Sequence, residues 1–236
     1  MRFCYFIFLF LLPATSALAN NVTIEYTGTF NRMYYSDCQT YSTYGSCNSW
    51  NFTDQSTSSF FDGLVISVGD QFTGSFSYNT NALLSGISSD GYQAVYLQSI
   101  YNSTLSSNIF SLPMNTLSST GNGDYSVVNG RYGWDSFYVA SYFSNPSWFT
   151  GIIFNPMDHD GTVFSDFTAP SELELSDFES PYFSMFFLRK SDGDQLQIRG
   201  TLSSISTIAP VPEPSTILLL GAGLAGIGLY ERRQRK

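Results

Sequence analysis

Apolar and polar residues alternate with a period of two through most of the chain, and this constrains the fold more than any other feature. Val22, Ile24 and Tyr26 alternate with Thr23, Glu25 and Thr27. Gln71–Tyr78 is a second such run, carrying Phe72, Phe76 and Tyr78 between glycines. Further runs cover Tyr92–Tyr101, Asp124–Val128, Trp134–Ala140, Trp148–Phe154, Leu173–Leu175, Tyr182–Arg189 and Gln195–Ser204. Most are separated by turn-forming residues such as Ser89-Asp90-Gly91, Gly121-Asn122-Gly123, Asn145-Pro146, Asp160-Gly161 and Asp192-Gly193-Asp194. About nine or ten short strands at this spacing predict an all-β fold, an antiparallel β-sandwich or jelly-roll-like domain. A parallel α/β fold is excluded because no amphipathic helix lies between the runs.

Composition agrees. Aromatic residues make up 17% of the 236 residues and charged residues 12%, too apolar for a disordered chain and too poor in helix formers for a bundle. The Tyr34–Trp50 stretch is polar between its rings and is expected to be a loop. The formal charge is −9. Phosphate contacts require clustered Lys and Arg, so nucleic acid is excluded as a partner.

The two ends differ from this pattern. Arg2 precedes ten consecutive apolar residues, Phe3–Leu12, followed by Pro13 and the small residues Ala17 and Ala19. Such a stretch is too short to span a bilayer of about 30 Å and reads as a secretory signal peptide over residues 1–19, removed by signal peptidase. At the other end Pro212-Glu213-Pro214 interrupts regular structure. An uncharged run of 15 residues follows, Thr216–Tyr230, then Arg232, Arg233, Arg235 and Lys236. The run is close to the length of a single transmembrane helix, and the basic cluster acts as a membrane stop held on the cytoplasmic side. The division is a signal peptide at 1–19, a secreted β-domain at 20–208 and a membrane-directed segment at 209–236. Residues 20–214 contain 18 acids and five bases, Arg32, Arg131, Arg189, Lys190 and Arg199, a balance of −13. That is a solvated surface suited to a soluble exported domain.

Candidate chemistry in the middle is sparse. Cys38 and Cys47 are the only cysteines after residue 19, and in an oxidising compartment they are expected to form a disulfide. Asp158-His159-Asp160-Gly161 resembles the opening of a calcium loop, but Ala169 stands where the twelfth-position acid would be. A single His cannot build a zinc site, so Asp158 and Asp160 are read as a tight turn, with no metal and no cofactor expected. Asp192-Gly193-Asp194 is read in the same way. Glu172 and Glu174 would share the wet face of one strand, and no spacing marks a glycosidase pair. There is no nucleophile elbow and no phosphate-binding glycine loop, so no catalytic residue is assigned. Tyr34, Tyr35, Tyr41, Tyr44, Trp50, Trp134 and Trp148 could stack on sugar rings, or fill the core.

Pro212-Glu213-Pro214, a glycine-bearing apolar run and terminal arginines, in that order, resemble the PEP-CTERM sorting signal. The resemblance covers residues 211–236. It implies exosortase as a processing partner, a Gram-negative bacterium that produces exopolysaccharide, and an inner-membrane-anchored precursor sorted to the envelope or extracellular matrix. Val68–Tyr78, Gly161–Ser165, Leu173-Glu174-Leu175 and Gly200–Ile205 are similar to segments common in PEP-CTERM proteins. This similarity implies a β-sandwich and no catalytic residue. The expected function is that of a non-enzymatic exported protein. The alternatives are a carbohydrate-binding module, with extracellular polysaccharide as partner, and a secreted glycan hydrolase.

Overall fold

The alternation that starts at Val22 continues far beyond Tyr26, so that strand β1 runs over Asn21–Cys38. The computed structural model describes residues 21–39, 47, 50–97, 99–107, 110–113, 123–131 and 133–208, and also 221, 223 and 227. The strands after β1 are β2 (Trp50–Gln55), β3 (Thr57–Ser58), β4 (Ile66–Ser67), β5 (Gln71–Asn79), β6 (Gly86–Ile87) and β7 (Gln93–Tyr96). They continue with β8 (Ile100–Ser107), β9 (Ser111–Pro113), β10 (Gly123–Arg131), β11 (Trp134–Ser144), β12 (Trp148–Asp158), β13 (Ser180–Arg189) and β14 (Gln195–Ile208). Residues 22–208 form one unit, and among its described residues the fold is all-β, with a 3-10 turn at Leu175–Asp177 as the exception.

Twelve strands form one antiparallel sheet in the order β6-β7-β10-β11-β12-β13-β14-β1-β5-β8-β9, with β2 also on β1. The run β10 to β14 is a meander of neighbouring strands. The first strand then closes against the last, Tyr26 opposite Ile205. Register shifts at Thr27/Gly28 and Phe30/Arg32 bend β1 where it must serve two neighbours. Bulges increase local twist and let one long strand turn a corner.

Strands far apart in this order meet through their rings. Phe72 of β5 stacks on Phe183 of β13 at 4.3 Å, Phe76 of β5 meets Phe154 of β12 at 5.1 Å, and Tyr78 of β5 meets Phe137 of β11 at 5.1 Å. The sheet therefore rolls over itself, and its two halves enclose one aromatic core. Tyr26 lies at its centre, within 6.4 Å of Phe72, Phe76, Phe154 and Phe183. Buried tyrosines retain a polar tip that needs a partner. Here the hydroxyls of Tyr26, Tyr78, Tyr96 and Tyr125 donate to the carbonyls of Thr104, Pro170, Phe167 and Asn79. Burial pushes the phenols of Tyr26 and Tyr78 far above their ordinary range, so they remain donors at any physiological pH.

Each end of the rolled sheet is covered. At the end where β12 finishes, residues 159–179 place Ala169, Leu173 and Phe178 in the core. At the end where β12 starts, Phe61 stacks on Phe187 at 4.2 Å and packs edge-on to Trp148 at 5.2 Å.

Three expectations are corrected. The first part of the Tyr34–Trp50 stretch is strand: Tyr34–Cys38 pairs with β2, and Tyr34–Ser36 also pairs with β14. Tyr92–Tyr101 is split into β7 and β8 by a turn at Leu97. Leu173-Glu174-Leu175 is not a strand. Leu173 is buried and its amide donates to Thr207 Oγ1 at 3.0 Å, so alternating burial is reached without a backbone ladder. The expected C-terminal transmembrane helix falls on residues of which only Gly221, Gly223 and Ile227 are described, all with helical backbone. No helix among the described residues is long and apolar enough to cross a membrane.

The central rings lie on glycines. A Cβ at Gly28 would stand 2.3 Å from Phe72 Cζ and 2.6 Å from the Thr201 carbonyl oxygen, and one at Gly74 would stand 2.3 Å from Tyr26 Cζ. Overpacking of this kind costs about 1–3 kcal/mol. Gly28→Ala and Gly74→Ala are each expected to lower the melting temperature measured by circular dichroism. Gly86→Ala, in open space on β6, should leave it unchanged.

Candidate functional site

Cys38 and Cys47 are bonded, with Cα atoms 5.8 Å apart. The bridge lies at the end of β1 beside the β13–β14 hairpin, whose tip is Asp192-Gly193-Asp194. Gly193, with φ of 82°, supplies the left-handed backbone that this turn requires. Both carboxylates are committed there. Asp194 is buried and accepts from the Cys38 amide at 3.0 Å, from the Tyr35 hydroxyl and from Arg189 Nη2 at 2.8 Å. Asp192 accepts from Arg189 Nε at 2.8 Å. The Arg189 guanidinium also lies over the Phe60 ring, 4.8 Å from its centroid. Burial, and then the bond to Asp194, pushes the Tyr35 phenol up to about 12, while the bond to Asp192 holds Arg189 above its usual value. The turn expected here is therefore also an anchor that fixes the disulfide to the sheet.

The second acidic turn works in the same way at the opposite end. Asp158 is buried at the end of β12, directly across from buried Asp135 on β11. Asp158 accepts from the amides of Asp160, Thr162 and Val163, and Asp135 accepts from Gly130 and Phe164 at 2.7 Å each. Glu179, which sequence reasoning passed over, accepts from the His159 amide at 2.9 Å. Oxygens of Asp158, Asp160 and Glu179 lie within 4.8 Å of one another, the spacing a cation would need. The amides of His159, Asp160, Thr162 and Val163 donate to Glu179 and Asp158, and the Thr162 hydroxyl donates to Asp160. These acids hold down the start of the 159–179 segment, a fixed turn made by carboxylate-to-amide bonds.

The aromatic candidates separate by position. Trp148 belongs to the core, and its indole donates to Asp62 at 2.8 Å, which removes it as a sugar platform. Trp134, Tyr34 and Tyr35 are half-buried. Tyr41 and Tyr44 lie outside the described residues, as does the side chain of Trp50. Glu172 and Glu174 are both exposed in the segment leading into the 3-10 turn, and the Glu174 amide donates to Asp177 at 3.3 Å, so the expected strand face does not exist. His159 is exposed on its turn. Pro212, Glu213, Pro214, Arg232, Arg233, Arg235 and Lys236 lie outside the described residues, as does the 1–19 leader.

Two shallow grooves open on the outer surface among the described residues. One, of about 460 Å³, is bordered by Asp70, Gln71, Thr73 and Ser106. The other, of about 300 Å³, is bordered by Asn31, Arg32, Tyr182, Arg199 and Thr201. Asp70 is the single carboxylate among the described residues lining either groove.

Two measurements test these anchors. Closing a loop as short as Cys38–Cys47 stabilises a domain by about 2–3 kcal/mol. The native protein should therefore weigh two hydrogens less than its reduced form, and reduction should lower its melting temperature. Burial raises the Asp158 carboxyl, but the amides of Thr162, Asp160 and Val163 outweigh this and hold it below the usual aspartate value. A depressed folded value contributes stability that is fully present above the unfolded value of about 3.9 and is lost as pH falls through the folded one. Protection of the Thr162 and Val163 amides from hydrogen exchange should accordingly fall as pH drops below about 4, before that of the β12 amides. Asp158→Asn should remove this pH dependence.

Comparison with curated proteins and with solved structures found no match. A family model does match, over residues 210–233, the segment that contains Pro212-Glu213-Pro214 and the whole apolar run. This chain carries a PEP-CTERM protein-sorting motif at its C-terminal end, the signal of a protein exported and sorted by exosortase.

Proposed function

We propose that the chain is a non-enzymatic protein of the cell envelope or extracellular matrix of a Gram-negative bacterium. It is exported as a precursor and held at the inner membrane by Thr216–Tyr230, with Arg232, Arg233, Arg235 and Lys236 resisting translocation. It is trimmed by signal peptidase at one end and processed by exosortase at the other. The observation that carries this reading is the sorting motif at residues 210–233. The β-domain is the cargo. Its buried acids, Asp135, Asp158 and Asp194, all serve as acceptors for backbone amides, which supports a scaffold role. Glycoside hydrolysis ordinarily needs two carboxyl groups facing one another across a cleft. With Asp70 alone among the described lining residues, the grooves favour binding over hydrolysis.

A second reading, carbohydrate binding by the β-domain, is favoured by one feature. The smaller groove combines a half-buried tyrosine, Tyr182, with the exposed polar groups Asn31, Arg32, Arg199 and Thr201.

The sorting role is tested by fractionating a doubly tagged chain in a host that carries exosortase. A charge at the centre of a membrane helix costs about 2.5–3.5 kcal/mol on insertion scales, so Leu220→Arg should release uncleaved precursor from the membrane. Glu213→Ala should insert normally yet be processed poorly, because the tripeptide acts by recognition. Processing of Glu213→Ala as efficient as that of the parent would overturn the role assigned to the tripeptide.

A further inference from the structure

We propose that the outer face of β1, β13 and β14 binds a glycan through the carboxylate of a uronic acid residue, held jointly by Arg32 and Arg199. This rests on the carbohydrate-binding reading and is independent of the sorting motif.

The starting point is a pairing that folding alone disfavours. Arg32 on β1 and Arg199 on β14 are direct cross-strand partners. Like charges in that position repel and destabilise the pair of strands. The β-domain has ample acid to avoid this, with 18 acids against five bases in residues 20–214. Two of those bases are used inside the structure. Arg189 is bound by Asp192 and Asp194, and Lys190 donates to Ser144 and to the Asn145 carbonyl at 2.7 Å each. Arg32 and Arg199 instead face each other on the exposed side of the sheet.

They are also held in place. Tyr34 lies two residues along β1 from Arg32, on the same face. Both guanidinium groups lie over its ring, at 4.6 Å and 5.2 Å from the centroid. The negative face of the ring attracts both cations and offsets part of their repulsion. The counter-charge in place is small. Asp54 accepts from both Nε and Nη2 of Arg32, at 3.4 Å each, with both side chains more than half exposed, so the pair is open to solvent and to exchange for another carboxylate. Among the described residues no carboxylate pairs with Arg199. Two guanidinium groups over one ring suit a planar carboxylate, which can accept from both.

The surroundings select the carrier of that carboxylate. The groove of about 300 Å³ beside the pair is lined by Tyr182, an aromatic surface for a sugar ring, and by the polar side chains of Asn31, Ser180 and Thr201. The balance of −13 over residues 20–214 repels dense polyanions. At physiological salt that field is screened within about 8 Å, so one carboxylate between neutral sugars can reach the arginines where a continuous polyuronate is opposed. The ligand class is therefore a glycan with uronate residues spaced by neutral ones.

The test uses the full chain in a non-glycosidic detergent, with calorimetry and NMR titration against three probes. These are a tetrasaccharide alternating glucuronate with N-acetylglucosamine, the same tetrasaccharide with its carboxyl groups reduced to alcohols, and a tetra-aspartate peptide. The acidic tetrasaccharide should bind at least tenfold more tightly than its reduced form. Arg32→Gln and Arg199→Gln should each lower its affinity about tenfold. Because either change removes a like-charge contact, neither should lower the melting temperature, which separates loss of binding from loss of fold. Equal binding of the acidic and reduced sugars would overturn the arginine site and leave carbohydrate binding standing. Binding of neither sugar would overturn both. Tighter binding of the peptide than of the acidic sugar, dependent on both arginines, would overturn the glycan as occupant.

Discussion

Close approach of aromatic rings to bare backbone makes one sheet behave as two. Phe72 lies against Gly28 and Gly200, and Tyr26 lies against Gly74, at distances no other residue type would permit. These contacts draw β5 down over β13 and β14, so that rings supply the largest side chains of an interior they share with aliphatic chains such as Ile24, Leu105 and Ile198. Rings bury large areas but leave polar tips, and the four tyrosine hydroxyls bonded to carbonyls show how that cost is met. Tyr78 and Tyr96 reach out of the core to hold the 159–179 segment by its own backbone, which couples the packing of the centre to the closing of one end.

Both ends then depend on the same device. Asp135 and Asp158 at one end and Asp194 at the other are buried carboxylates whose oxygens accept backbone amides. A short anion can organise a turn more strongly than a hydroxyl, because charge-assisted bonds are roughly twice as strong as neutral ones. That accounts for a run such as Asp158-His159-Asp160-Gly161 in a loop whose amides must be satisfied near the core. Metal-like spacing and turn chemistry look alike in sequence, since both call for Asp near Gly.

The strands were legible because alternation is local. Gln71–Tyr78, Trp134–Ala140, Trp148–Phe154, Tyr182–Arg189 and Gln195–Ser204 all fall inside observed strands. What escaped was what tertiary contact decides. Tyr34–Cys38 is too polar to read as strand, yet β2 pairs with all of it and β14 with Tyr34–Ser36. Leu173 and Leu175 alternate with glutamates, but Leu173 meets β14 through the Thr207 side chain rather than through a backbone ladder. Trp148 could serve in sequence as a platform or as core, and Phe60, Phe61 and Asp62, from a segment 86 residues away, decide for core. Glu179 gave no local signal at all, because its partner is an amide 20 residues earlier. Spacing did favour the Cys38–Cys47 bridge, but not the buried Asp194 that anchors it.

The placement of charge separates what holds the domain together from what it offers to the outside. Acids buried at the two ends act inward, on amides and on Arg189. Acids left outside keep an exported domain soluble and repel polyanions. Against that background a basic residue on the outer face is conspicuous for its scarcity, and a cross-strand pair of them is harder still to explain by folding. Asp54 approaches one of the pair, while the Tyr34 ring takes both, an attraction that does not neutralise charge. The arginine pair stands beside a groove with an aromatic lining. A sorting motif determines where such a domain is delivered. On the glycan-binding proposal, the arginine pair would select a polymer able to present a single negative group without bringing many.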